Sequence, residues 1–307
     1  MGQPSVAEAV MSVPGADVDA PSAEPRVRCF RFNRTLLLVP VLVFFAAFFF
    51  YPLWIMIAKS VTDTPAGASA WSNFAWFFEE ESNLRIYGRT LLTAARVTVF
   101  CILIAYPMAY AMMRAKGTWK LAILGVVLLP FWISTVVRNF AWVVILQDRG
   151  VLNYLLDAIG LPALSILGTK TAVTVGMAQV LLPFAVLPIY TAMRRIDTNL
   201  IRAALMLGAR PAVAFATVFL PLSMTGVFAG ALLVFVLSLG FYVTPAMLGS
   251  PQDAMIAQII FRQISELLAW GRSSAMATIL LLTTVGILGA GSLVTRRLRN
   301  RIGAQPE

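Results

Sequence analysis

The chain has 307 residues, of which 59% are hydrophobic and only 12% are charged. Soluble domains carry about 25% charged residues, so this composition, with a mean hydropathy of +0.82, excludes an ordinary soluble protein and predicts an all-α membrane protein. Histidine is absent, which excludes His-based triads and His-ligated metals. The net charge of +10 comes from basic residues that flank apolar runs, and it indicates membrane topology and not a nucleic-acid surface.

The N-terminal segment differs in composition from the rest of the chain. Residues 1–25 are rich in Ala, Pro, Ser and Val, carry only acidic charges and show no sustained periodicity, which predicts a disordered cytoplasmic tail. Residues 26–302 are predicted to form one transmembrane domain. The first apolar run lacks the small-residue cleavage site of a signal peptide, so we expect it to be a retained membrane helix.

Six apolar runs have the length and hydropathy of membrane spans. Five of them are interpreted as single crossings: Leu36–Ala58, Leu91–Met113, Leu121–Leu146, Thr171–Met193 and Ala275–Thr295. The remaining run, fifth in chain order and covering residues 213–248, is too long for one perpendicular helix. Because Pro221 limits helix continuation, we expect its crossing to start near Leu222. Gly226 and Gly230 form a G-x-x-x-G pattern in it, which predicts close helix packing or, alternatively, contact with a second subunit.

Basic residues are distributed unequally between the two sides of this six-span arrangement. The side with both termini and the connections around residues 114–120 and 194–212 carries 15 Lys and Arg, and the other side carries 7. Since basic residues accumulate on the cytoplasmic side, we predict that both termini are cytoplasmic. The aromatic segment Trp71–Phe78 then lies outside, as an interfacial helix or as a packed cap.

The connection after the fourth span has a distinctive spacing. Alanines at two adjacent positions let a partner approach closely, and a glycine four residues later can adopt the left-handed conformation that ends a helix. A Leu-Pro pair follows at the expected start of the fifth crossing. The residues singled out in this loop are Asp197, Arg202, Ala203, Ala204, Gly208, Leu220 and Pro221.

This loop resembles the EAA loop of binding-protein-dependent ABC transporter permeases. The family pattern is E-A-A, three residues, G, nine residues, then I-x-L-P, and Val218 replaces the isoleucine conservatively. Arg202 occupies the position of the family's glutamate, which leaves the electrostatics of docking open. The resemblance implies a six-transmembrane-helix importer permease fold in which this loop couples the membrane helices to an ATPase.

Further segments are similar to spermidine/putrescine-type permeases. They are residues 130–142, with the following residues 150–156, and residues 241–249. Permeases for ferric iron, phosphonates and sulfate share parts of these patterns. The resemblance therefore implies an importer in the bacterial inner membrane that carries a polyamine, with ferric iron, phosphonate or another anion as alternative substrates.

The resemblance also implies that the chain works with other subunits and has no catalytic, cofactor-binding or metal-binding residue of its own. It would pair with a second permease subunit, dock on ABC ATPase subunits and receive solute from an extracytoplasmic binding protein. The sequence contains no G-x-x-x-x-G-K-[ST] phosphate loop, which agrees with ATP binding on a separate partner.

Two arginines, Arg96 and Arg138, fall inside the apolar spans, and no Asp or Glu does. An unpaired cation there costs about 2.5 kcal/mol or more, so each is expected to reach lipid headgroups, protein or a water-filled path. We interpret Arg138, Trp142 and Tyr242 as candidate path residues. A proton-coupled carrier and a membrane enzyme are the alternative functions, but the spans lack the carboxylates and histidines that either would use.

Overall fold

The computed structural model describes residues 38–301, and helices are the only regular secondary structure in that range. The chain divides into two units at the bond between Phe50 and Tyr51. The predicted tail, residues 1–25, lies outside the described residues. The α-helices are α1 (Leu38–Phe45), α2 (Tyr51–Thr62), α3 (Ser72–Glu79), α4 (Glu81–Arg114), α5 (Thr118–Leu128), α6 (Thr135–Leu146), α7 (Val151–Ala158), α8 (Lys170–Arg194), α9 (Thr198–Met206), α10 (Pro211–Ala214), α11 (Leu220–Leu239), α12 (Val243–Leu248), α13 (Ile256–Ser265) and α14 (Trp270–Arg301).

The first unit contributes α1 and the π-helical segment Ala46–Phe50. Every described side chain of this unit is exposed, including Phe44 and Phe48, whose rings stack with centroids 4.9 Å apart. The helical run Leu38–Thr62 has a mean hydropathy of 2.4 over its most apolar window. It therefore has the length and composition of the predicted first span.

The second unit is built around α4, α8 and α11, which pack against one another. Small side chains line their contacts, because they let helix backbones approach closely. A Cβ atom added at Gly230 would lie 3.0 Å from the carbonyl oxygen of Ala185, and one at Gly226 would lie 2.9 Å from that of Pro188. The G-x-x-x-G pattern thus serves packing within the chain, which confirms the first of the two predicted interpretations.

Five helical runs of the described residues are long and apolar enough to cross a membrane. They are Leu38–Thr62, Glu81–Arg114, Lys170–Arg194, Pro211–Leu239 and Trp270–Leu293. A sixth crossing requires the helix pair 118–132 and 135–158 to count as one span. If this pair counts as one span, the described residues contain six spans, as predicted. Two of the predicted spans nevertheless differ in form.

The predicted third span, residues 121–146, is not one continuous helix. After α5 the chain passes through the 3-10 segment Leu129–Trp132, and Ile133 and Ser134 are extended. The chain direction bends by 102° between the two helices of this pair. Pro130 lies in the first turn of the 3-10 segment, where its missing N–H removes one backbone donor shortly before the break. Hydropathy does not register such a break, because both helices are apolar.

The helix that contains the fifth span begins at Pro211, before the position near Leu222 at which we expect the crossing itself to start. α10 runs through the π-helical segment Phe215–Phe219 into α11 without an interruption. The backbone N–H of Leu220 bonds to the Phe215 oxygen, and this wider turn directly precedes Pro221. The π-helical segment shifts the backbone bonding from i−4 to i−5 just before the proline, and the helix continues through Pro221. It ends at Leu239, and the last residues of the predicted run form the separate helix α12.

The aromatic segment after α2 forms α3, which packs against α14. Phe77 is completely buried, whereas Trp71, just before α3, is 68% exposed. The Asn73 side chain donates to the backbone oxygens of Ser60, at 3.0 Å, and Asp63, at 2.9 Å. The segment therefore forms a packed cap and also keeps aromatic side chains at its surface.

Candidate functional site

The predicted coupling loop forms the short helix α9 between α8 and α10. Its N-terminus is capped by Asp197, whose carboxylate accepts a hydrogen bond from the backbone N–H of Asn199 at 2.8 Å. An acidic residue at this position satisfies a free N–H and interacts favourably with the positive end of the helix dipole. The sequence thus defines where the helix begins.

The C-terminus of α9 has two hydrogen bonds that close a Schellman motif. The N–H of Gly208 bonds to the Leu205 oxygen at 3.0 Å, and that of Ala209 bonds to the Ala204 oxygen at 3.1 Å. Gly208 has φ +87°, which confirms the predicted left-handed conformation. Pro211 then occupies the first turn of α10, so the two helices are separated by a short, well-defined turn.

The outer surface of α9 combines small, basic and apolar side chains. Ala203 and Arg202 are exposed, and Ala204 is half-buried. Met206 and Leu207, at the end of the helix, are each 89% exposed. Exposed large apolar residues beside one another are typical of a surface that a partner covers. We name Met206 and Leu207 the apolar tip.

An aromatic cluster connects α9 to the membrane helices. The rings of Tyr110, Phe215 and Phe219 lie with centroids 5.3–5.6 Å apart. They line a groove of about 530 Å³ beneath α9, together with Arg114 and Arg202. Arg114 lies 5.2 Å from the Tyr110 ring centroid, within the range of a cation–π interaction. The cluster places the end of α4 in contact with the π-helical segment that leads into α11.

The two remaining coupling-loop positions lie on this connection. Leu220 is half-buried at the first position of α11, and Pro221 is exposed at the second. The structure therefore brings the predicted residues into one continuous segment, which runs from α9 into α11. The sequence pattern did not reveal the contribution of Tyr110, because this residue lies on α4, far away in the sequence.

Arg138 lies at the broken third span. It is only 6% exposed, and its Nη1 donates to the Pro130 backbone oxygen at 2.6 Å. Nη2 donates to the Thr135 hydroxyl at 3.3 Å. Because the helix breaks after Pro130, this carbonyl needs another donor, and Arg138 supplies it across the bend. Within the described residues Arg138 has no ion-pair partner.

The other two candidate path residues lie on neighbouring elements. Trp142, one turn after Arg138, donates from Nε1 to the Gln179 oxygen on α8 at 2.6 Å. Tyr242 directly precedes α12, a helix that packs against α6, and its ring lies 4.8 Å from that of Phe261. Gln179 was not identified from the sequence, since a lone glutamine in an apolar span carries no spacing signal.

The segment after α6 is held by one asparagine. The Asn153 side chain donates to the backbone oxygens of Asp148, at 3.1 Å, and Leu164, at 3.0 Å. Its own oxygen accepts from the Leu164 N–H at 2.8 Å. The two bonds with Leu164 hold the connection between α7 and α8, and the bond to Asp148 holds the turn between α6 and α7, so Asn153 in the sequence pattern of residues 150–156 has a structural role.

Three comparisons relate the chain to known proteins. Residues 98–300, more than half of the chain, match the family described as binding-protein-dependent transport system inner membrane component. The chain is 32% identical over 195 residues to the spermidine/putrescine transport system permease protein PotB of Haemophilus influenzae, which covers 63% of this chain and 68% of that protein. It is 30% identical over 229 residues to the molybdenum transport system permease protein ModB of Mycobacterium bovis, which covers 72% and 84%.

The fold is similar to that of a solved transporter. One chain in the crystal structure of a bacterial alginate ABC transporter, in complex with an alginate pentasaccharide-bound periplasmic protein, aligns with a TM-score of 0.70. The alignment covers 89% of this chain and 96% of that chain at 18% sequence identity. At this identity the similarity concerns the fold alone.

Proposed function

Because the chain belongs to the family of binding-protein-dependent transport system inner membrane components, we propose that it forms part of the solute path of an ATP-driven polyamine importer. Membership in this family makes the chain a multi-pass permease of the inner membrane and not an enzyme. The predicted family and the all-α permease fold are thereby confirmed. What we propose beyond this is the substrate, the partner subunits, and the residues that form the docking surface and the solute path.

Coupling to the ATPase is assigned to α9 and its apolar tip. The observation that carries this assignment is the 89% exposure of Met206 and Leu207 at the end of a helix that is capped at both termini. A partner that covers these side chains removes apolar surface from water, which favours docking. The aromatic cluster around Tyr110 then transmits displacement of α9 to α4 and α11.

Arg202 gives this docking surface a basic character. It replaces the glutamate of the family pattern and lines the same groove as Arg114. Two cations at one groove favour an acidic group on the partner, since opposite charges across an interface are attracted and like charges are repelled. We therefore expect the ATPase of this importer to present a carboxylate opposite Arg202.

The remaining partners follow from the same proposal. The chain pairs with a second permease subunit and receives its solute from an extracytoplasmic binding protein. Both chain termini and α9 lie on the cytoplasmic side, as the distribution of basic residues favours. ATP is bound by the partner ATPase, and Arg138, Trp142 and Tyr242 remain the proposed path residues of this subunit.

A polyamine is the substrate we favour, and an anion is the second candidate. The spermidine/putrescine relative supports the first. The molybdenum relative supports the second, as does the presence of Arg96 and Arg138 in spans that contain no carboxylate. For a polyamine, selection would take place on the binding protein and the companion subunit, because this chain offers the cation no intramembrane acid.

The experiment that tests the proposal uses the assembled transporter. The chain is purified with its co-complexed subunits and reconstituted with the binding protein, and ATP hydrolysis is measured with spermidine, putrescine or molybdate. Stimulation by a polyamine alone is expected. Stimulation by molybdate alone would replace the polyamine by an anion while preserving the importer, and the absence of any ATPase in the purified complex would contradict the importer proposal itself.

A further inference from the structure

We propose that a groove between α4 and α8 binds one anionic phospholipid, whose phosphodiester lies between Arg96 and Lys170. The groove has a volume of about 660 Å³ and is separate from the coupling loop. Arg96 and Lys170 are the charged residues that line it. The rest of its lining is apolar except for two threonines, Thr171 and Thr174, which lie in the first turns of α8 next to Lys170.

The charges around the groove match one phosphodiester. Lys170 forms an ion pair with Asp253, with 3.6 Å between Nζ and the carboxylate oxygen. Arg96 belongs to none of the ion pairs found within residues 38–301. The two cations and the single carboxylate therefore leave one net positive charge. An arginine in an apolar span needs a counter-charge or water, and a phosphodiester supplies one negative charge.

The position of the two cations fits the headgroup region. α8 extends 25 residues from Lys170 to Arg194. At 1.5 Å per residue, this length is about 37 Å, which exceeds the roughly 30 Å of hydrocarbon in a bilayer. Lys170 at one end of α8 is therefore placed at headgroup depth. Arg96 lines the same groove, and its long side chain extends toward that depth.

The apolar wall of the groove fits one acyl chain. From Arg96, where the phosphodiester is placed, it follows α4 to Leu103, a rise of about 10 Å, which is enough for the upper part of an acyl chain in a leaflet about 15 Å deep. Leu92 and Val99 are each 59% exposed, so the wall is open to its surroundings. A hydrated polyamine fits this groove poorly, because the wall is apolar and both lining charges would repel it.

Native mass spectrometry of the intact transporter tests the proposal. The complex is titrated with phosphatidylglycerol or with zwitterionic phosphatidylcholine of the same acyl chains, and bound lipids are counted. One basic residue near an anionic lipid contributes roughly fivefold in affinity. We expect one phosphatidylglycerol to bind preferentially, and Arg96→Gln to reduce that preference about fivefold, whereas Arg96→Lys keeps it.

Two controls separate the headgroup from the acyl chain and from general surface charge. Ala95→Trp, which fills the groove, is expected to reduce the binding of both lipids at this site. Arg149→Gln removes an exposed cation outside the groove and is expected to leave the preference unchanged. Glycerol 3-phosphate, which lacks acyl chains, should not displace the bound lipid.

Three results would overturn the proposal. The first is equal affinity for the two lipids. The second is a loss of preference in Arg149→Gln as large as in Arg96→Gln, which would indicate nonspecific surface charge. The third is loss of the companion permease from Arg96→Gln with lipid binding unchanged, which would make a carboxylate of that subunit the partner of Arg96.

Discussion

Replacement of Gly208 by valine should uncouple the membrane helices from the ATPase subunits, and so lower uptake and solute-stimulated ATP hydrolysis together, while leaving the chain inserted in the membrane. Gly208 has φ +87°, a conformation that costs an L-residue roughly 1–2 kcal/mol. A Cβ atom at this position would meet no atom within 4 Å. The perturbation is therefore backbone strain alone, without a steric clash that could destabilise the membrane helices.

The magnitude follows from this strain. A cost of 1–2 kcal/mol lowers the population of the capped turn by a factor of about 5–30. If the backbone leaves the left-handed region, the bonds from Gly208 to Leu205 and from Ala209 to Ala204 are lost, and α9 no longer ends at its present position. The apolar tip of Met206 and Leu207 is then reoriented.

The assay compares solute-stimulated ATP hydrolysis and uptake in proteoliposomes that contain equal amounts of assembled transporter. Both activities should fall together in Gly208→Val. Gly208→Asn is the matched control, because asparagine tolerates the left-handed conformation, and it should retain most activity. Asn199→Ala, at the opposite end of α9, should also be mild. Normal transport by an assembled Gly208→Val complex would refute the claim that this loop transmits the nucleotide cycle.

Three other predictions concern the rest of the chain. Gly230→Val inserts a side chain against the Ala185 backbone and should destabilise the helix packing by about 1–3 kcal/mol, measured as thermal stability in detergent, whereas Gly286→Val, at a position with open space, should not. Arg138→Met leaves the Pro130 carbonyl without its donor and should cost about 1–3 kcal/mol in the same assay; an unchanged melting temperature would contradict a stabilising role for this hydrogen bond across the bend. Cysteines introduced near either terminus should react with membrane-impermeant reagents only from the cytoplasmic side, and labelling from outside would contradict the six-span topology.

The sequence predicts the long apolar helices well, because hydrophobic length and flanking charge determine them. The fourth span was predicted as residues 171–193 and is observed as α8, Lys170–Arg194. The turn at Gly208 was also predictable, since a glycine that follows a short helix by two residues and precedes Pro211 allows few conformations. These features depend on local sequence alone.

The observed helices differ from the predicted ones at positions where backbone hydrogen bonding, and not hydropathy, determines the structure. Three residues after Pro130 the chain bends by 102°, whereas at Pro221 a π-helical turn precedes the proline and the helix continues. Both prolines lie in apolar sequence, so their effects cannot be distinguished by hydropathy. The difference depends on tertiary partners, such as Arg138, whose guanidinium bonds to the Pro130 carbonyl across the bend.

Prediction of the candidate site from the sequence is limited in the same way. Asp197, Ala203 and Gly208 were found by spacing, because they lie on one short segment. The aromatic cluster was not, since Tyr110 and Phe215 come together only when α4 packs beside the loop. The lipid groove likewise joins Arg96 and Lys170 from two helices. Contacts between segments that lie far apart in the sequence can be identified only from the packed structure.

The measurement that tests the central claim most directly is uptake into proteoliposomes with the energy sources separated. The assembled transporter is supplied with binding protein and solute outside and ATP inside, and a protonophore collapses the proton gradient. We predict that uptake requires both ATP and the ATPase subunit and continues at an unchanged rate after the gradient is collapsed. Uptake by this chain alone, driven by a pH gradient without ATP, would contradict the account.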